Sequence, residues 1–204
     1  MKRALLLLAG LAPLWTASAG AAAPGADPDW PCQQVLVPVL SADMLWRGPP
    51  IEKAGDWQAD PEVAALVRRI APRDVTVEAG EAAIGAFAAT LGADKARRLT
   101  LVFAGLLDET NRDRSEVIER LKDLARRQRN LAALIDRLTT ELDAAPAEPG
   151  GEASASQTEL QQRWSFTSRS YAEMQRTMRY ACEVPRTLDA RLGAYAHVLE
   201  AALP

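Results

Sequence analysis

The 204-residue sequence has little of what catalysis commonly uses, since it holds one histidine and two cysteines. It also lacks a Gly-x-Ser-x-Gly nucleophile motif, a phosphate-binding glycine loop and a dinucleotide-binding fingerprint. The histidine, His197, has no recognisable zinc-ligand companions, and we expect it at the surface. Adjacent acids such as Asp108 and Glu109 would not face each other on a helix. We therefore predict no catalytic residues, no bound metal and no cofactor.

Strand signals are also scarce, because alanine, leucine and arginine recur while runs of β-branched residues are few. Two stretches instead place mostly apolar residues at alternating steps of three and four, which predicts a long antiparallel helical hairpin of coiled-coil type. We call these positions, where the two helices would meet, the seam. The seam residues are Val117, Leu121, Leu124, Gln128, Leu131, Ile135, Leu138 and Leu142, followed by Leu160, Trp164, Thr167, Tyr171, Met174, Met178, Ala181 and Pro185. A segment rich in proline, glycine and serine, about 144–157, would be the flexible tip. Folding there pairs residues whose numbers add up to about 302.

Capping residues and prolines set the expected helix boundaries. We predict helices from Asp60 to about Ile70, from Thr76 to about Leu91, from Asp94 over nearly fifty residues, and from Thr158 to Glu183. Polar residues make the third helix weakest at 108–115, and Pro185 should kink the fourth helix or start a fifth. The second of these helices is small-sided, by which we mean that half of its residues are alanine or glycine, and this composition favours close packing. Residues 95–114 and 186–202 would join the first two helices in a small bundle.

The chain begins with the features of a secretory signal peptide. Lys2 and Arg3 precede an apolar run over residues 4–15, and small residues then lead to Ala19. The run is shorter than the roughly twenty residues that span a bilayer. We predict a signal peptide over residues 1–19, with cleavage after Ala21 or an uncleaved anchor as alternatives. The mature chain would be a soluble protein of a Gram-negative periplasm, without a transmembrane segment.

Residues 20–59 are expected to form an irregular N-terminal arm, because six prolines prevent a long helix there. The arm also holds three tryptophans, Trp30, Trp46 and Trp57. Large amphipathic rings in a proline-rich segment suggest anchors that dock into grooves. We therefore predict that the arm packs on the helical domain, residues 60–204.

The two cysteines, Cys32 and Cys182, do not form a Cys-x-x-Cys unit, and neither precedes a haem-attaching histidine. In an oxidising compartment the simplest interpretation is one disulfide between them. Free or intermolecular thiols are the alternative. The disulfide would staple the arm where the hairpin leaves the bundle.

Charge is distributed unevenly along the chain. Without residues 1–19 the sequence has 22 basic and 27 acidic residues, which argues against nucleic acid as a partner. Residues 112–137 nevertheless include eight basic and five acidic residues, and residues 160–191 include six basic and three acidic residues. Residues 20–62 carry two basic and seven acidic residues. We predict that the acidic arm lies along the basic hairpin, with an acidic partner protein or a membrane surface as alternatives.

The sequence thus favours a non-catalytic accessory protein that binds an unknown periplasmic protein, or a second copy of itself, through the hairpin. The candidate contacts are Arg126, Arg127 and Arg129 on the first hairpin helix, with Arg176 and Arg179 on the opposing helix. Their concentration on one element, rather than any motif, is the basis of this hypothesis.

The alternative function is a carrier of a small ligand or metal, using a cleft between the small-sided second helix and the arm. Met174 and Met178 stand one helical turn apart, a spacing that could hold a soft metal such as Cu(I). Both occupy seam positions, however, which favours core packing. An enzyme would require a carboxylate pair in a concave pocket, which no pattern here indicates.

Overall fold

A computed structural model describes residues 27–146 and 154–204, and within these ranges the protein is all-α, without strands. The α-helices are α1 (Ala42–Leu45), α2 (Pro61–Ile70), α3 (Val77–Ala89), α4 (Lys95–Ala144), α5 (Ala155–Ala181) and α6 (Glu183–Ala201). Two short 3-10 helices, Ile51–Lys53 and Trp57–Ala59, precede α2. The predicted all-α fold is confirmed. The predicted signal peptide, residues 1–19, and the tip residues 147–153 lie outside the described ranges.

Helix α4 is unbroken through the segment 108–115, where its polar residues predicted a weak point. It has 50 residues, so its length is about 75 Å at the usual rise per residue. Asp108, Asn111 and Arg114 all bond to residues of the N-terminal arm. The segment is polar because it faces the irregular arm, and these bonds lie outside the helix and leave its backbone intact.

The distal half of α4 and the whole of α5 form the predicted antiparallel hairpin. Towards the tip, Trp164 Nε1 donates to Thr139 Oγ1 at 3.0 Å. Nearer the bundle, Met178 is buried with Leu121 and Ala125 in one apolar cluster. The residue numbers in both contacts add up to nearly the same value, so the register predicted from the seam is confirmed.

Helix α5 begins three residues before the predicted start at Thr158. Ser154 Oγ accepts from the Gln157 backbone N–H at 3.2 Å, and Gln157 Oε1 accepts from the Ser154 N–H at 2.9 Å. This reciprocal capping box satisfies backbone donors that the first turn would otherwise leave unpaired. The serine of the tip segment therefore sets the start of α5.

The break between α5 and α6 falls at Cys182 alone, slightly before the predicted end of the fourth helix at Glu183. Pro185 then lies in the first turn of α6. Backbone N–H groups in a first turn have no intrahelical partner, so a proline there removes no helical hydrogen bond. The predicted restart of the helix near Pro185 is confirmed.

Helices α2 and α3, the first part of α4, and α6 share the main hydrophobic core. The small-sided α3 lies very close to α6, because a Cβ added at Gly80 would be 2.1 Å from Tyr195 Oη. Gly105 likewise allows close packing on α4, since an added Cβ would be 2.8 Å from Val67 and 2.9 Å from Trp57. The predicted close packing of the small-sided helix is therefore confirmed.

Arg98 of α4 forms ion pairs with Asp60 and Glu62 at the start of α2. Asp60 caps α2 by accepting from the backbone N–H groups of Glu62 at 3.2 Å and Val63 at 3.1 Å. The Arg98 guanidinium donates to both carboxylate oxygens of Asp60, each at 2.9 Å. These hydrogen bonds lower the pKa of Asp60 below its ordinary value, and those from Arg98 have the largest effect. Partial burial opposes the shift.

We expect Asp60→Asn to lower the free energy of unfolding by about 1 to 2 kcal/mol near neutral pH, since asparagine caps the helix but cannot form the charge-assisted pair. A lowered carboxyl pKa stabilises the fold above about pH 4, and that contribution disappears as pH falls through the folded-state pKa. The difference in unfolding free energy between Asp60→Asn and the wild type should therefore become smaller in acid. Urea denaturation of both chains, near neutral pH and at about pH 3, would measure it.

Asp56→Asn is the matched control, because Asp56 caps the turn Trp57–Ala59 through the Gln58 N–H at 2.9 Å without an arginine partner among the described residues. We expect a small, nearly constant effect for this variant across the same pH range. A loss at Asp60 that did not change with pH would show that the ion pair contributes nothing.

Candidate functional site

The N-terminal arm is anchored to the helices by its tryptophans, as predicted. Trp46 stacks on Phe103 with ring centroids 4.5 Å apart, and Trp57 Nε1 donates to Asp108 Oδ2 at 2.9 Å. Both indoles are buried. Trp30 is half-buried against the apolar cluster of the hairpin, and its Nε1 donates to the Gln34 carbonyl at 2.7 Å. The arm is therefore held along both the bundle and the hairpin.

The predicted disulfide between Cys32 and Cys182 is present, with the Cα atoms 5.6 Å apart. Gln34 Nε2 donates to the Cys182 carbonyl oxygen at 2.6 Å, close to the junction of α5 and α6. Cys182 is both the C-cap of α5 and the N-cap of α6, so this bond holds the arm to the junction itself. The arm thus clamps the chain where the hairpin leaves the bundle.

Arg114 is buried on α4 and joins three parts of the chain. Its Nη2 donates to the Val37 carbonyl of the arm at 2.5 Å, and its Nη1 donates to the Pro185 carbonyl at 3.3 Å and to Asp189. Partial burial raises the pKa of the Asp189 carboxyl, and the Arg114 charge opposes this only in part. In the sequence, Arg114 is distinguished only as one of the polar residues of 108–115.

Asn111 provides a second polar fastening for the arm. Its Oδ1 accepts from the Leu40 N–H at 2.8 Å, and its Nδ2 donates to the Leu40 carbonyl at 2.9 Å. The side-chain amide therefore satisfies both backbone groups of Leu40, which is itself buried. A buried irregular segment needs such partners, because unpaired backbone groups away from water are costly.

Acidic residues at the start of the described arm pair with basic residues one helical turn apart on α4. Asp27 is 3.0 Å from Lys122 Nζ, and Asp29 pairs with Arg126 at 2.8 Å and also with Arg129. The Arg126 hydrogen bond is the main cause that lowers the pKa of Asp29. The prediction that the acidic arm lies along the basic hairpin is confirmed.

Only two of the five arginines predicted to contact a partner form these ion pairs. Arg126 and Arg129 face Asp29 of the arm, whereas the other three are exposed and have no ion pair within 27–146 and 154–204. Arg179 lines a groove of about 410 Å³ together with Pro31 and Gln175. Arg127 and Arg176 lie on α4 and α5 outside this groove. The free arginines are therefore on both helices of the hairpin.

The outer side of α5 presents a surface that the seam pattern did not indicate. We call it the outer stripe, and it consists of Phe166, Arg169, Glu173, Arg176 and Tyr180. Steps of three and four residues put these side chains on one face, turned away from the seam. Phe166 is 67% exposed and Tyr180 is 80% exposed, which is unusual for aromatic residues on a folded helix.

The charged members of the outer stripe have no partner in the part of the chain that the structure describes. No ion pair there involves Arg169, Glu173 or Arg176, and none of these three side chains takes part in a hydrogen bond there; Glu173 accepts one only through its backbone carbonyl, from Thr177. The arm lies on another side of α5, where Pro31 and Gln175 line the same groove. The described part of the arm, residues 27–59, thus lies away from the outer stripe.

A second concave surface lies between the arm, α2 and α4, rather than beside α3 as the carrier hypothesis proposed. This cleft of about 480 Å³ is lined by Trp57, Gln58, Arg68, Ala71, Pro72, Glu109, Arg112 and Asp113. In the described ranges no three His, Cys, Asp or Glu side chains are grouped as metal ligands. Met178 is buried among apolar residues of the hairpin, which fits its predicted role in packing.

Among the described residues, no helix combines the length and the apolar character that crossing a membrane requires. His197 is exposed on α6, as predicted. No protein-family model matches this chain, and no curated protein and no solved structure is detectably similar to it.

Proposed function

We propose that this is a non-catalytic accessory protein of the periplasm that binds another protein through the outer surface of its helical hairpin. The supporting observation is that α4 and α5 extend as a two-helix hairpin with exposed aromatic and arginine side chains that have no partner in the described chain. Aromatic and arginine side chains are the types that contribute most to protein interfaces.

The way the arm is fastened supports this proposal. Trp46 and Trp57 fix the arm to the bundle, whereas the disulfide and Trp30 fix it to the base of the hairpin, so the hairpin keeps one orientation relative to the bundle. A rigid presenting element loses little conformational entropy on binding. We infer that the bundle and the arm are the support, and that the hairpin is the binding element.

We assign different roles to the five arginines of the hairpin. Arg127, Arg176 and Arg179 are proposed partner contacts, because their guanidinium groups are exposed and unpaired among the described residues. Arg126 and Arg129 are proposed to hold the arm through Asp29. A guanidinium already paired within its own chain contributes less to a new acidic partner, since its charge is compensated.

The proposed location follows from the start of the sequence and from the disulfide. We propose that residues 1–19 direct export and are removed, which leaves the chain in the periplasm. A disulfide within one chain persists in oxidising compartments and is rare in the cytosol of mesophiles. The mass of the protein isolated from its own cells would show whether these residues are absent.

We expect the double substitution Arg127→Glu with Arg179→Glu to reduce capture of the partner at least about tenfold, a loss of about 1.4 kcal/mol. The reason is that two exposed positive charges would become repulsive towards an acidic surface. The disulfide-bonded protein would be immobilised, exposed to periplasmic extract from its own organism without reductant, and eluted for native mass spectrometry. Wild-type protein should retain one protein at fixed stoichiometry.

The matched control is Arg68→Glu with Arg69→Glu, which makes the same charge change at exposed positions on α2 of the bundle. Circular dichroism would confirm that both variants keep the helical content of the wild type. Equal capture by the hairpin variant and the control would refute the proposed contacts. A lone chain that retains a small molecule would favour the carrier function over the accessory function.

A further inference from the structure

The N-terminal arm is held in two zones that differ in depth. Its later part packs into the main hydrophobic core through the buried side chains of Leu40, Trp46 and Trp57. Residues 27–34, which we call the strap, lie on the hairpin instead, and none of them is fully buried. The two zones therefore depend on different contacts.

The ion pairs of the strap are open to water. Asp27 pairs with Lys122, and Asp29 pairs with Arg126 and Arg129. These five side chains are 18–53% exposed. Exposed ion pairs contribute little to stability, because solvent screens the charges and holding two long side chains costs entropy. The acidic residues alone therefore hold the strap weakly.

Gln34 and Trp30 add one hydrogen bond and one apolar contact. Gln34 Nε2 donates to the Cys182 carbonyl oxygen at 2.6 Å, and the half-buried Trp30 packs against the apolar cluster of the hairpin. The N–H of the Trp30 indole donates to the Gln34 carbonyl, so this bond lies within the strap itself. The cross-link from Cys32 to Cys182 is therefore the strongest fastening of the strap.

The disulfide lies beside an open groove. Cys32 and Cys182 are both half-buried, and both line a groove of about 350 Å³ together with Arg179, Glu183 and Arg186. Attack on a disulfide requires access to one of its sulfur atoms, and accessible disulfides are the ones that exchange most readily. The position of this disulfide therefore suits thiol exchange better than a position inside the core would.

The charges around the groove favour Cys182 as the leaving thiolate. Arg179 and Arg186 lie three residues before and four residues after Cys182, and both line the groove with it. Arg186 is 3.6 Å from Glu183, whereas Arg179 has no ion pair within the described ranges. A positive charge beside a cysteine stabilises its thiolate, and a more stable thiolate leaves faster.

We propose that the disulfide is an exchange site for a dithiol reductant, the chemistry of a Cys-x-x-Cys protein, and that its reduction releases the strap from the hairpin. A thiolate of the reductant attacks Cys32 Sγ, the bond between the two Sγ atoms breaks, and Cys182 leaves as a thiolate beside Arg179. The second thiol then attacks the mixed disulfide and frees Cys32. The reductant is oxidised to a disulfide, and its two thiol protons end on the two cysteines.

Release changes the surface at the base of the hairpin. Lys122, Arg126 and Arg129 lose the strap carboxylates and form one basic patch with the exposed Arg127. Trp30 also leaves the apolar cluster that it packs against. The uncovered surface suits an acidic segment with an aromatic side chain, which is the chemistry of the strap itself. This inference goes beyond the proposed function, because release of the strap requires no partner protein.

Acetylation of lysine amines would measure the release, because the chain after residue 19 has only three lysines, Lys53, Lys95 and Lys122. The Lys122 side chain is 18% exposed and pairs with Asp27, so dithiothreitol or reduced thioredoxin should raise its acetylation rate several-fold. Lys53, on the part of the arm that the bundle holds, and Lys95, at the start of α4, should keep their rates. Freed thiols would be alkylated before labelling, and mass spectrometry of the digested protein would report each site.

Two sets of variants serve as controls. Cys32→Ser with Cys182→Ser should show the fast Lys122 rate without any reductant. Arg179→Gln should slow reduction by dithiothreitol several-fold at a fixed pH, because it removes the positive charge beside the leaving thiolate. Arg169→Gln makes the same change elsewhere on α5, outside the groove, and should be reduced as fast as wild type. Titration of free thiols over time would give these rates.

An unchanged Lys122 rate after complete reduction would overturn the inference, because the strap would then stay docked without its cross-link. Equal acceleration at all three lysines would also overturn it, since the whole chain would then be unfolding. A disulfide that dithiothreitol reduces only in denaturant would not be an exchange site, and equal reduction rates for the two glutamine variants would refute the assigned leaving group. None of these results would alter capture of another protein by the oxidised chain, so the two proposals can fail separately.

Discussion

A chain with alanine in place of both Cys32 and Cys182 is expected to lose about 3 to 5 kcal/mol of unfolding free energy. The disulfide closes a loop with a sequence separation of 150 residues. On the chain-entropy view, a cross-link over so long a loop restricts the unfolded chain by about 5 kcal/mol, and residual denatured-state structure reduces that value. Urea denaturation followed by circular dichroism would measure the loss.

Wild-type protein treated with a reductant is the control for this prediction, because it loses the cross-link without losing the side-chain volume of either cysteine. Its midpoint should fall close to that of the double-alanine variant. The other contacts of the arm, including those of Trp46 and Trp57, remain in both cases. A midpoint that did not move in either sample would show that these contacts alone hold the arm.

Trp57→Ala is expected to lower the unfolding free energy by about 3 to 5 kcal/mol, the usual cost of truncating a buried tryptophan. Trp57 is 6% exposed and lies against Gly105 of α4, in the same hydrophobic core as Val67 of α2. Removing the indole leaves a cavity that the closely packed helices cannot easily fill, and it also removes the donor to Asp108. Thermal and urea denaturation would both register the change.

Trp57→Phe separates the two contributions of this side chain. Phenylalanine retains most of the apolar volume but has no N–H group, so the hydrogen bond to Asp108 should account for about 1 kcal/mol of the loss. The alanine variant should therefore be clearly less stable than the phenylalanine variant. If the two had equal stability, packing of the arm against α2 and α4 would not be what stabilises this region.

The sequence pattern predicted the hairpin well because a two-helix seam needs little more than periodic apolar residues. Trp164 and Thr139 meet close to the expected register, and Met178 reaches Leu121 and Ala125 as expected. Helix starts were less well predicted. The start of α5 depended on a capping box within the tip, and seam residues alone do not report it.

The polar fastenings of the arm could not be predicted in the same way. Arg114 and Asn111 bond mainly to backbone groups of Val37, Pro185 and Leu40, and any residue type supplies such groups. Charge totals did predict that the arm lies along the hairpin. They did not show which arginines pair with Asp29, because that depends on where the arm turns.

The outer stripe was not predicted from the sequence for a different reason. The seam residues of α5 are those that face α4, whereas Phe166 and Tyr180 lie on the opposite side and are exposed. Their seven-residue spacing from Glu173 was visible in the sequence as a second periodic line. Only the structure shows that α4 and residues 27–59 of the arm leave Phe166 and Tyr180 exposed.

The long-range contacts of the arm set the order in which this chain can finish folding. Trp57 bonds to a residue 51 positions later, and Gln34 bonds to one 148 positions later. Contacts between such distant residues form late, because closing large loops costs entropy before any contact is gained. Synthesis starts at the N-terminus, so the arm is made first but completes its packing last. Trp46 and Trp57 have no partner to pack on until α4 exists, and Cys32 has none until Cys182 is made, so the arm is the segment that stays exposed longest during synthesis.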